Sequence, residues 1–349
     1  MRFGPVPLAE AVGATVVHAV HVGPVTLKKG EVVTPAHVEL LATRGLRELV
    51  VARLEAEDVG ENVAAGRLAA MLGGIEVTVE RAFTGRANLF ARCNGVLSVD
   101  AARIDRLNGV DESLTVATLP PFRAVRAGEM VATVKIIPFA VERPVLDRAI
   151  DLLAQPVVDV RPYRPLRVGI ISTVLPGLKP TVVRKTVQHL ADRLAPAAAP
   201  IVLDEALPHD AGALAPRIAH AAGSCDLVVV FGASAITDRR DIIPAALVAA
   251  GGIVEQFGMP VDPGNLLLLG RLGSTPVIGA PGCARSPKEN GFDWVLQRLL
   301  AGIPVTRADI QRLGVGGLLM EIVTRPQPRG EAGVPPRIEE PALEDAPPA

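Results

Sequence analysis

The sequence predicts an α/β protein whose second half is a doubly wound, mostly parallel sheet, with a smaller mixed α+β, strand-rich region before it. Apolar residues make up 49% of the chain and aromatic residues only 3%, which favours a core of Val, Leu, Ile and Ala, as in buried parallel strands. From about residue 165 onward, short apolar runs alternate with amphipathic segments at the spacing of strand–helix repeats. Before that point, Gly and Asn separate short alternating runs, a pattern typical of strands joined by tight turns.

The N-terminal part predicts a short helix–turn–strand unit. Residues 8–20 are expected to form a helix that leads into a strand. Thr34 followed by Pro35 has the pattern of a helix N-cap and a first helical residue. That helix is expected to end at Gly45, and residues 46–54 (LRELVVARL) to follow as a strand.

The middle of the chain is predicted to be irregular and rich in strands. Residues 83–100 (FTGRANLFARCNGVLSVD) have Gly and Asn at turn positions between short alternating strands. Residues 124–141 are expected to form a β-hairpin or the edge of a barrel, with the turn at Ala127 and Gly128.

The second half predicts a regular alternation of strands and helices. The expected strands are residues 166–173, 200–207, 225–234 and 254–261, with a hairpin-like pair at 265–272 and 275–282. The expected helices are residues 181–194, 209–223, 239–252 and 288–302. Because crossovers between parallel strands are right-handed, the loops after the carboxyl ends of the strands should lie on one edge of the sheet.

These patterns divide the chain into four predicted regions, with a linker between the first two. Residues 1–160 form the mixed α+β region, as one or two small subdomains, and residues 165–305 form the α/β domain. The prolines and arginines of residues 161–167 (RPYRPLR) are typical of a linker. Residues 306–324 are a short C-terminal extension, and residues 325–349, rich in Pro and Glu, are expected to be a disordered tail or linker.

Charge and cysteine content exclude several classes of function. The net charge is −1 at pH 7 and basic residues are spread along the chain, so we expect no binding of nucleic acid or of an anionic membrane surface. Cys93, Cys225 and Cys283 form no CxxC pair, and the histidines show no HxH or HExxH spacing, which argues against a disulfide framework and a zinc site. With no secretory signal and no apolar run long enough to span a bilayer, the chain is expected to be cytoplasmic.

The loop after the third predicted strand, residues 232–241, is the strongest candidate for a ligand site. It begins with small residues and ends with Arg239 and Arg240 at the predicted start of a helix. Backbone N–H groups at a helix start can bind a phosphate, and arginines add positive charge. A plain turn whose aspartate caps the helix is the alternative interpretation.

Two further loops are predicted on the same edge of the sheet. Residues 173–180 follow the first strand, and residues 279–290 follow the last strand and bring Arg285, Ser286 and Lys288 to the start of a helix. A proline-terminated turn with a serine N-cap would explain the second loop equally well. Three loops of small residues with basic side chains on one edge together favour a ligand site.

Five aspartates near these loops are candidates for a catalytic or metal-binding role. A carboxylate beside a phosphate-binding loop commonly holds a divalent metal ion or orients a nucleophile, although a single aspartate is more often a helix cap or a surface charge. The five are Asp204, Asp210, Asp238, Asp241 and Asp262.

The second half, from about residue 165 to 305, resembles the molybdopterin-binding domain shared by molybdopterin adenylyltransferases and molybdopterin molybdenumtransferases. Residues 232–247 (GASAITDRRDIIPAAL) look like the glycine-rich loop of the family and the Arg-Arg-Asp-x-x-Pro element after it. Residues 257–272 and 276–287 are similar to a molybdenumtransferase run in which a Lys-Pro-Gly-Lys hairpin precedes a Leu-Pro-Gly-Asn-Pro loop. Residues 27–51 also look like the stretch that precedes this domain in molybdenumtransferases.

The resemblance implies a role in molybdenum-cofactor biosynthesis and a set of site residues. Asp241 takes the place of the aspartate that assists nucleotidyl transfer through Mg²⁺, and Asp210 matches a second family aspartate. The residues expected to bind the pterin and its phosphate are Gly232, Ala233, Ser234, Arg239, Arg240, Pro281, Gly282, Ser286 and Lys288.

This chain departs from the family pattern at three places. Gly232-Ala233 stands where the family has two glycines, and residues 184–186 are Arg-Lys-Thr where an acidic or amide residue usually precedes Ser or Thr. Residues 262–265 are Asp-Pro-Gly-Asn in place of Lys-Pro-Gly-Lys. The last change removes two positive charges that would face phosphate or molybdate.

Three functions therefore stay open at the level of sequence. The first is Mg²⁺-dependent adenylyl transfer or molybdate insertion, with molybdopterin and ATP or molybdate as ligands. The second, favoured by the departures, is a non-catalytic carrier that delivers the cofactor to a molybdoenzyme. The third is an unrelated α/β nucleotide-binding enzyme. A nucleotidyltransferase partner and a homo-oligomer are further expectations.

Overall fold

A computed structural model describes residues 1–23 and 25–319 of the chain. The predicted tail, residues 325–349, and the end of the predicted extension at 306–324 lie outside the described residues. Within the described ranges, no helix has the length and apolar character needed to cross a lipid bilayer.

The N-terminal segment is a small sheet covered by one helix. Strand β5 lies at the centre of a three-stranded sheet, between β1 and β2, while β3 and β4 pair with each other. Its own hydrophobic cluster includes Leu8, Val16, Leu41 and Val51. The elements are β1 (Arg2–Pro7), a 3-10 helix (Leu8–Glu10), β2 (Thr15–Val16), β3 (Val20–Val22), β4 (Val25–Leu27), α1 (Pro35–Ala42) and β5 (Glu48–Arg53).

The predicted start of α1 is confirmed by its capping geometry. Thr34 Oγ1 accepts a hydrogen bond from the backbone N–H of His37 at 3.3 Å, and the backbone N–H of Thr34 donates to His37 Nδ1 at 3.3 Å. Pro35 is the first helical residue. The helix ends at Ala42, slightly before the predicted Gly45, which adopts a φ of +81° in the turn that follows.

The middle segment is built from short strands around one long helix. The sheet orders are β10-β12-β8-β7, β11-β9-β14 and β13-β6. Helix α2 packs Leu68 and Leu72 into the same cluster as Leu89 and Val134. The elements are β6 (Asp58–Gly60), α2 (Glu61–Leu72), β7 (Val77–Val79), β8 (Arg86–Ala91), β9 (Gly95–Val99), α3 (Ala101–Asn108), β10 (Leu114–Thr118), β11 (Ala124–Val125), β12 (Met130–Ile136), β13 (Ala140–Glu142), α4 (Arg143–Asp151) and β14 (Val158–Pro162).

Two predicted elements of these segments are wrong in detail. Residues 8–20 contain a 3-10 helix and a two-residue strand instead of a helix, since Gly13 adopts a φ of +80° that a helix excludes. Residues 124–141 do not form a hairpin, because β11 pairs with β9 while β12 pairs with β8 and β10. The N–H of Gly128 donates to the carbonyl of Ala91 at 2.8 Å, so the turn leads the chain from one sheet to another.

The C-terminal segment contains the strand–helix alternation that the sequence predicts. Its elements are β15 (Val168–Val174), α5 (Pro180–Leu194), β16 (Ile201–Pro208), α6 (Ala211–Ser224), β17 (Leu227–Phe231), α7 (Ile242–Ala249), β18 (Ile253–Phe257), β19 (Leu268–Leu272), β20 (Thr275–Ala280), α8 (Gly291–Leu300) and α9 (Arg307–Gln311), with 3-10 helices at Ala195–Ala197, Gly282–Arg285 and Arg312–Gly314.

These strands form one six-stranded sheet of order β16-β15-β17-β20-β19-β18. The first four strands are parallel, and β19 and β18 are antiparallel to their neighbours. The predicted α/β class with a mostly parallel sheet is therefore confirmed. The domain boundaries drawn from the sequence stay a prediction.

Each face of the sheet is covered by its own pair of helices. Ile170, Val229 and Ile278 face a cluster that includes side chains of α5 and α8. Ile171 and Val230, the next residues along, face a cluster with α6 and α7. Because both faces of β15, β17 and β20 are buried, these strands appear in the sequence as continuous apolar runs.

The middle segment contacts the C-terminal segment at the amino edge of the sheet. Asn94 Nδ2 donates to the carbonyl of Pro196 at 3.2 Å, just beyond the end of α5. The N–H of Arg164 donates to the carbonyl of Leu300 at 2.9 Å, and the Arg298 guanidinium lies 4.0 Å from the centre of the Phe122 ring. Both α5 and α8 end at this edge, so their first residues lie at the opposite, carboxyl edge.

Close packing at Gly270 gives a test of the sheet. A Cβ atom at this position would lie 2.4 Å from Leu247 Cδ2 and 2.6 Å from the Ile253 carbonyl oxygen. We expect Gly270→Ala to lower the free energy of unfolding by roughly 1–3 kcal/mol. The control Gly223→Ala lies in α6 with no atom within 4 Å of the new Cβ, and should raise it by about 0.5–1 kcal/mol. Urea denaturation measures both, and equal effects would contradict the packing described.

Candidate functional site

The loop after β17 turns sharply at Gly232. A Cβ atom at this position would lie 2.8 Å from both Ile243 Cδ1 and the Ser234 carbonyl oxygen, so a side chain has no room. Ile236 is buried and anchors the loop to the sheet, while Ser234 and Ala235 are exposed. The turn therefore requires glycine at position 232, and the two residues Ser234 and Ala235 are open to solvent.

The hydrogen bonding of three successive backbone N–H groups bears on the predicted anion binding of this loop. The N–H groups of Ser234, Ala235 and Ile236 have no hydrogen-bond acceptor among the described residues. Consecutive unpaired N–H groups in a turn form a concave site that favours negative charge. Anion binding by this loop stays a prediction.

A chain of hydrogen bonds connects the loop after β17 with Thr173 and His209. Thr173, buried at the end of β15, accepts a hydrogen bond from the N–H of Ala233 at 3.0 Å. Its Oγ1 lies 2.7 Å from Nδ1 of His209, and Nε2 of His209 lies 3.2 Å from Oγ of Ser234. The end of β15 and the loops after β16 and β17 are therefore connected through one imidazole.

This chain of hydrogen bonds favours one tautomer of His209. Thr173 Oγ1 already accepts from the backbone, so its own proton is available for Nδ1 of His209. With the ring proton on Nε2, His209 donates to Ser234 and leaves the serine proton for a ligand. His209 is not among the residues predicted from the sequence, although its position beside Asp210, after a predicted strand, was the available signal.

Arg285, in the loop after β20, is one of the basic residues that the sequence predicts at this edge, although the set of residues implied by the resemblance does not include it. Its Nη1 donates to Thr186 Oγ1 at 2.9 Å and its Nη2 donates to the Gly232 carbonyl at 2.9 Å. The guanidinium carbon lies 5.5 Å from the centre of the Phe231 ring. Arg285 thus connects the loops after β17 and β20 with helix α5.

Arg193 of α5 fixes the loop that contains Ser286 and Lys288. Its Nε donates to Asp293 Oδ1 at 2.6 Å. Its two Nη atoms donate to the carbonyls of Ala284 and Ser286 at 3.1 and 2.6 Å. Arg193 and Asp293 are both nearly buried. Their ion pair and the hydrogen bonds from Arg193 hold the loop in one conformation, with Ser286 and Lys288 at the carboxyl edge.

The two predicted catalytic aspartates both make structural hydrogen bonds. Asp241 Oδ2 accepts from the backbone N–H and the hydroxyl of Thr237 at 2.8 and 3.1 Å. The backbone hydrogen bond from Thr237 is the main reason that the pKa of Asp241 is lowered. Asp210 Oδ1 accepts from the N–H of Ala213 at 2.9 Å and caps α6. Their catalytic roles stay a prediction.

The predicted cations of the site differ in how they are paired. Arg240 Nε lies 2.7 Å from Asp238 Oδ1, and the hydrogen bond from Arg240 lowers the pKa of Asp238 to about 2. The exposed side chains of Arg239 and Lys288 have no acidic partner among the described residues. Two of the three predicted cations are thus available to a ligand.

Residues 262–265 lie next to the start of α8. The Pro263 carbonyl accepts from the N–H of Gly291 at 2.9 Å. A Cβ atom on Gly264 would lie 2.7 Å from the same nitrogen. A cavity of about 270 Å³ borders this segment, and it is lined by Met259, Pro260, Val261, Asp262, Asn265, Gly314, Gly317 and Leu318.

The residues present do not build a magnesium site by themselves. Nowhere in the described chain do three His, Cys, Asp or Glu side chains gather closely enough to hold a metal ion. Asp241 would offer a single carboxylate, and one of its oxygens already accepts two hydrogen bonds.

The structure brings most of the predicted binding residues to one edge. The loops that contain Gly232, Ala233, Ser234, Arg239 and Arg240, and those that contain Pro281, Gly282, Ser286 and Lys288, follow the neighbouring parallel strands β17 and β20. Whether these residues bind a ligand stays a prediction.

Comparisons with known proteins give weak similarities. The family model of a domain of unknown function (DUF8806) matches residues 5–53, and no curated protein matches the chain. A molybdopterin biosynthesis MoeA protein from Pyrococcus horikoshii is similar at 15% identity and a TM-score of 0.31, over 86% of this chain and 75% of that chain. A molybdenum cofactor biosynthesis protein from Pyrococcus furiosus is similar at 12% identity and a TM-score of 0.23, over 86% of this chain and 61% of that chain. Because both TM-scores are low, we base the function on the residues of this chain.

The Thr173 hydroxyl gives a test of the loop support. Thr173→Val leaves the Ala233 N–H and His209 without their partner, so we expect the free energy of unfolding to fall by roughly 1–3 kcal/mol. Hydrogen exchange at the Ala233 amide should become faster. The control Thr78→Val, at an exposed strand position, should change stability by less than about 0.5 kcal/mol. Unchanged exchange at Ala233 would contradict the described hydrogen bond.

Proposed function

We propose that the chain binds molybdopterin at the carboxyl edge of its six-stranded sheet and serves molybdenum-cofactor biosynthesis. The observation that supports this most strongly is the set of unpaired N–H groups at 234–236, which lie in the loop that resembles the glycine-rich loop of the family. An anion-binding loop, followed by a basic loop after the neighbouring strand, has the same order as the motifs of the molybdopterin-binding domain.

The charge at this edge fits the phosphate of such a ligand. Arg239 and Lys288 are exposed without acidic partners in the described part of the chain, and Ser234 can donate a hydrogen bond from its hydroxyl. Phosphate oxygens accept hydrogen bonds from backbone N–H groups and from cations. The chain as a whole has a net charge of −1, so this edge is a local concentration of donors rather than part of a generally basic protein.

Among the functions that molybdopterin binding allows, we favour a carrier that delivers the cofactor to a molybdoenzyme. Asp241 is engaged by Thr237, Asp210 caps a helix, and the described residues form no metal cluster. Residues 262–265 contain no positive charge. Adenylyl transfer or molybdate insertion remains the second candidate, since Asp241 and Asp210 both follow strands at the carboxyl edge.

Reversing the two unpaired charges tests the binding site. We expect Arg239→Glu combined with Lys288→Glu to weaken molybdopterin binding about tenfold or more, because each change replaces attraction to phosphate by repulsion. Quenching of the ligand's fluorescence during titration measures the affinity. The control Arg126→Glu changes an exposed cation in the middle segment and should leave the affinity unchanged. Equal affinities for the site variant and the wild type would refute the location of the site.

A second experiment separates the carrier from the transferase. The full chain is incubated with molybdopterin, ATP and Mg²⁺, and pyrophosphate release is measured. A carrier gives no pyrophosphate and no adenylated product, and Asp241→Asn then retains binding. Pyrophosphate release that Asp241→Asn abolishes, with molybdopterin affinity unchanged, would instead establish the transferase and exclude the purely non-catalytic carrier.

A further inference from the structure

A cavity lies between the N-terminal and middle segments, away from the carboxyl edge. It has a volume of about 280 Å³, and none of its lining residues belongs to the C-terminal segment. The lining residues are Thr15, Gly30, Leu54, Gly60, Glu61, Asn62, Val63 and Phe139. Since Glu61 and Asn62 are the first residues of α2, two adjacent polar residues line this cavity from a rigid element.

The Glu61 carboxylate is largely buried, yet no donor among the described residues lies within 3.5 Å of it. Its side chain is 19% exposed, and Lys135 Nζ lies 3.7 Å from its Oε2. Lys135 donates its hydrogen bond to the carbonyl of Thr84 at 2.6 Å instead. Burial raises the pKa of Glu61, and the charges of Lys135 and Lys29 only partly oppose this effect. Because buried carboxylates normally accept hydrogen bonds, Glu61 has acceptor oxygens to offer a ligand.

The Asn62 carboxamide is oriented by the hairpin between β7 and β8. The backbone N–H of Gly85 donates to Asn62 Oδ1 at 2.8 Å. This donor identifies the oxygen, so the opposite branch of the amide is the Nδ2 donor. In the described part of the chain no group accepts its protons. Glu61 and Asn62 therefore offer two acceptor oxygens next to one donor amide.

The charges around Glu61 favour an uncharged ligand. Lys135 forms an ion pair with Glu61, and Lys29 Nζ lies 5.7 Å from the centre of the Phe139 ring, which also lines the cavity. Two ammonium groups near one carboxylate would repel a cation, and the carboxylate would repel an anion. Uncharged N–H groups can bind Glu61 without either penalty.

The other side chains around the cavity provide apolar surface. Leu54 and Val63 are 42% and 59% exposed, and Phe139 is partly exposed. Such surfaces suit a flat ring, which buries apolar area against aliphatic and aromatic groups. Ligand pockets have volumes of roughly 300–1,000 Å³. A cavity of about 280 Å³ therefore suits one ring system rather than a whole nucleotide.

We propose that this cavity binds an uncharged planar heterocycle whose edge carries two adjacent N–H donors beside a carbonyl oxygen. Guanine has such an edge, formed by its ring N–H, its amino group and its carbonyl oxygen. The two donors bind the Glu61 carboxylate, and the carbonyl oxygen accepts from Asn62 Nδ2. The inference does not rest on the proposed function, because no residue of the carboxyl edge takes part.

Discrimination between related heterocycles tests this pattern of donors and acceptors. Guanosine, inosine and adenosine are titrated separately into the full chain by saturation-transfer NMR, and pterin, which has the same edge as guanine, is the fourth titrant. We expect guanosine or pterin to bind at least about tenfold more tightly than inosine, which lacks the amino donor. Adenosine, which lacks the carbonyl as well, should bind more weakly still. No binding of guanosine and pterin, or equal binding of inosine or adenosine, would overturn the proposal.

A substitution of the carboxylate tests its role. Glu61→Gln keeps the shape of the side chain but replaces one acceptor by a donor, so binding of the tighter ligand should weaken at least about tenfold. The control Glu57→Gln changes an exposed carboxylate that is paired with Arg143 outside the cavity, and it should bind as the wild type does. Wild-type affinity in Glu61→Gln would refute the assignment of Glu61.

Val63→Trp keeps the test decisive if Glu61→Gln does not fold. Because Val63 is mostly exposed, a larger side chain fits at the surface and fills part of the cavity. We expect binding of the tighter ligand to be lost while the melting temperature is unchanged. Wild-type binding in Val63→Trp would overturn the location.

The outcome is separable from that of the proposed function. The double variant Arg239→Glu and Lys288→Glu, at the carboxyl edge, should bind the tighter ligand as the wild type does. Loss of binding in this variant would assign the ligand to the carboxyl edge and overturn the inference. A protein that binds guanosine through Glu61 but does not bind molybdopterin keeps this inference and loses the proposed function.

Discussion

Burial of three parallel strands on both faces constrains the whole C-terminal segment. Strands β15, β17 and β20 are covered by α5 and α8 on one side and by α6 and α7 on the other, so polar groups are confined to the strand ends. Since parallel strands end on the same side, their loops must meet there. The hydrogen bonds from Thr173 through His209 to Ser234 and the contacts of Arg285 both follow from this convergence.

The side chains that hold the loops at the carboxyl edge are buried or nearly buried. Thr173 and the Arg193–Asp293 pair lie beneath the surface, while Ser234 and Lys288 are exposed above them. A binding site needs donors that are already oriented, because ordering them at the moment of binding costs affinity. The carboxyl edge therefore combines a rigid base with a small number of free donors.

The sequence predicted the strand–helix alternation well because it depends on local periodicity. It predicted the three loops for the same reason, since each follows an apolar run. It failed at residues 124–141, where a turn joins two different sheets through the contact of Gly128 with Ala91. It also missed His209, and it placed Arg285 in a candidate loop without its contacts to Thr186 and Gly232, which join residues far apart in the chain. Partners such as Thr186 and Gly232 have no sequence signal that connects them with Arg285.

The contacts between the middle and C-terminal segments lie far from the carboxyl edge of the sheet. The contacts at Asn94, Arg164 and the Phe122 ring all lie at the amino edge of the sheet, at the ends of α5 and α8. The middle segment is thus attached at the amino edge of the sheet. None of the described hydrogen bonds of the carboxyl-edge groups involves the middle segment. A shortened chain that begins near Tyr163 would lose the Phe122 ring beside Arg298 but would retain every side chain that forms the carboxyl edge.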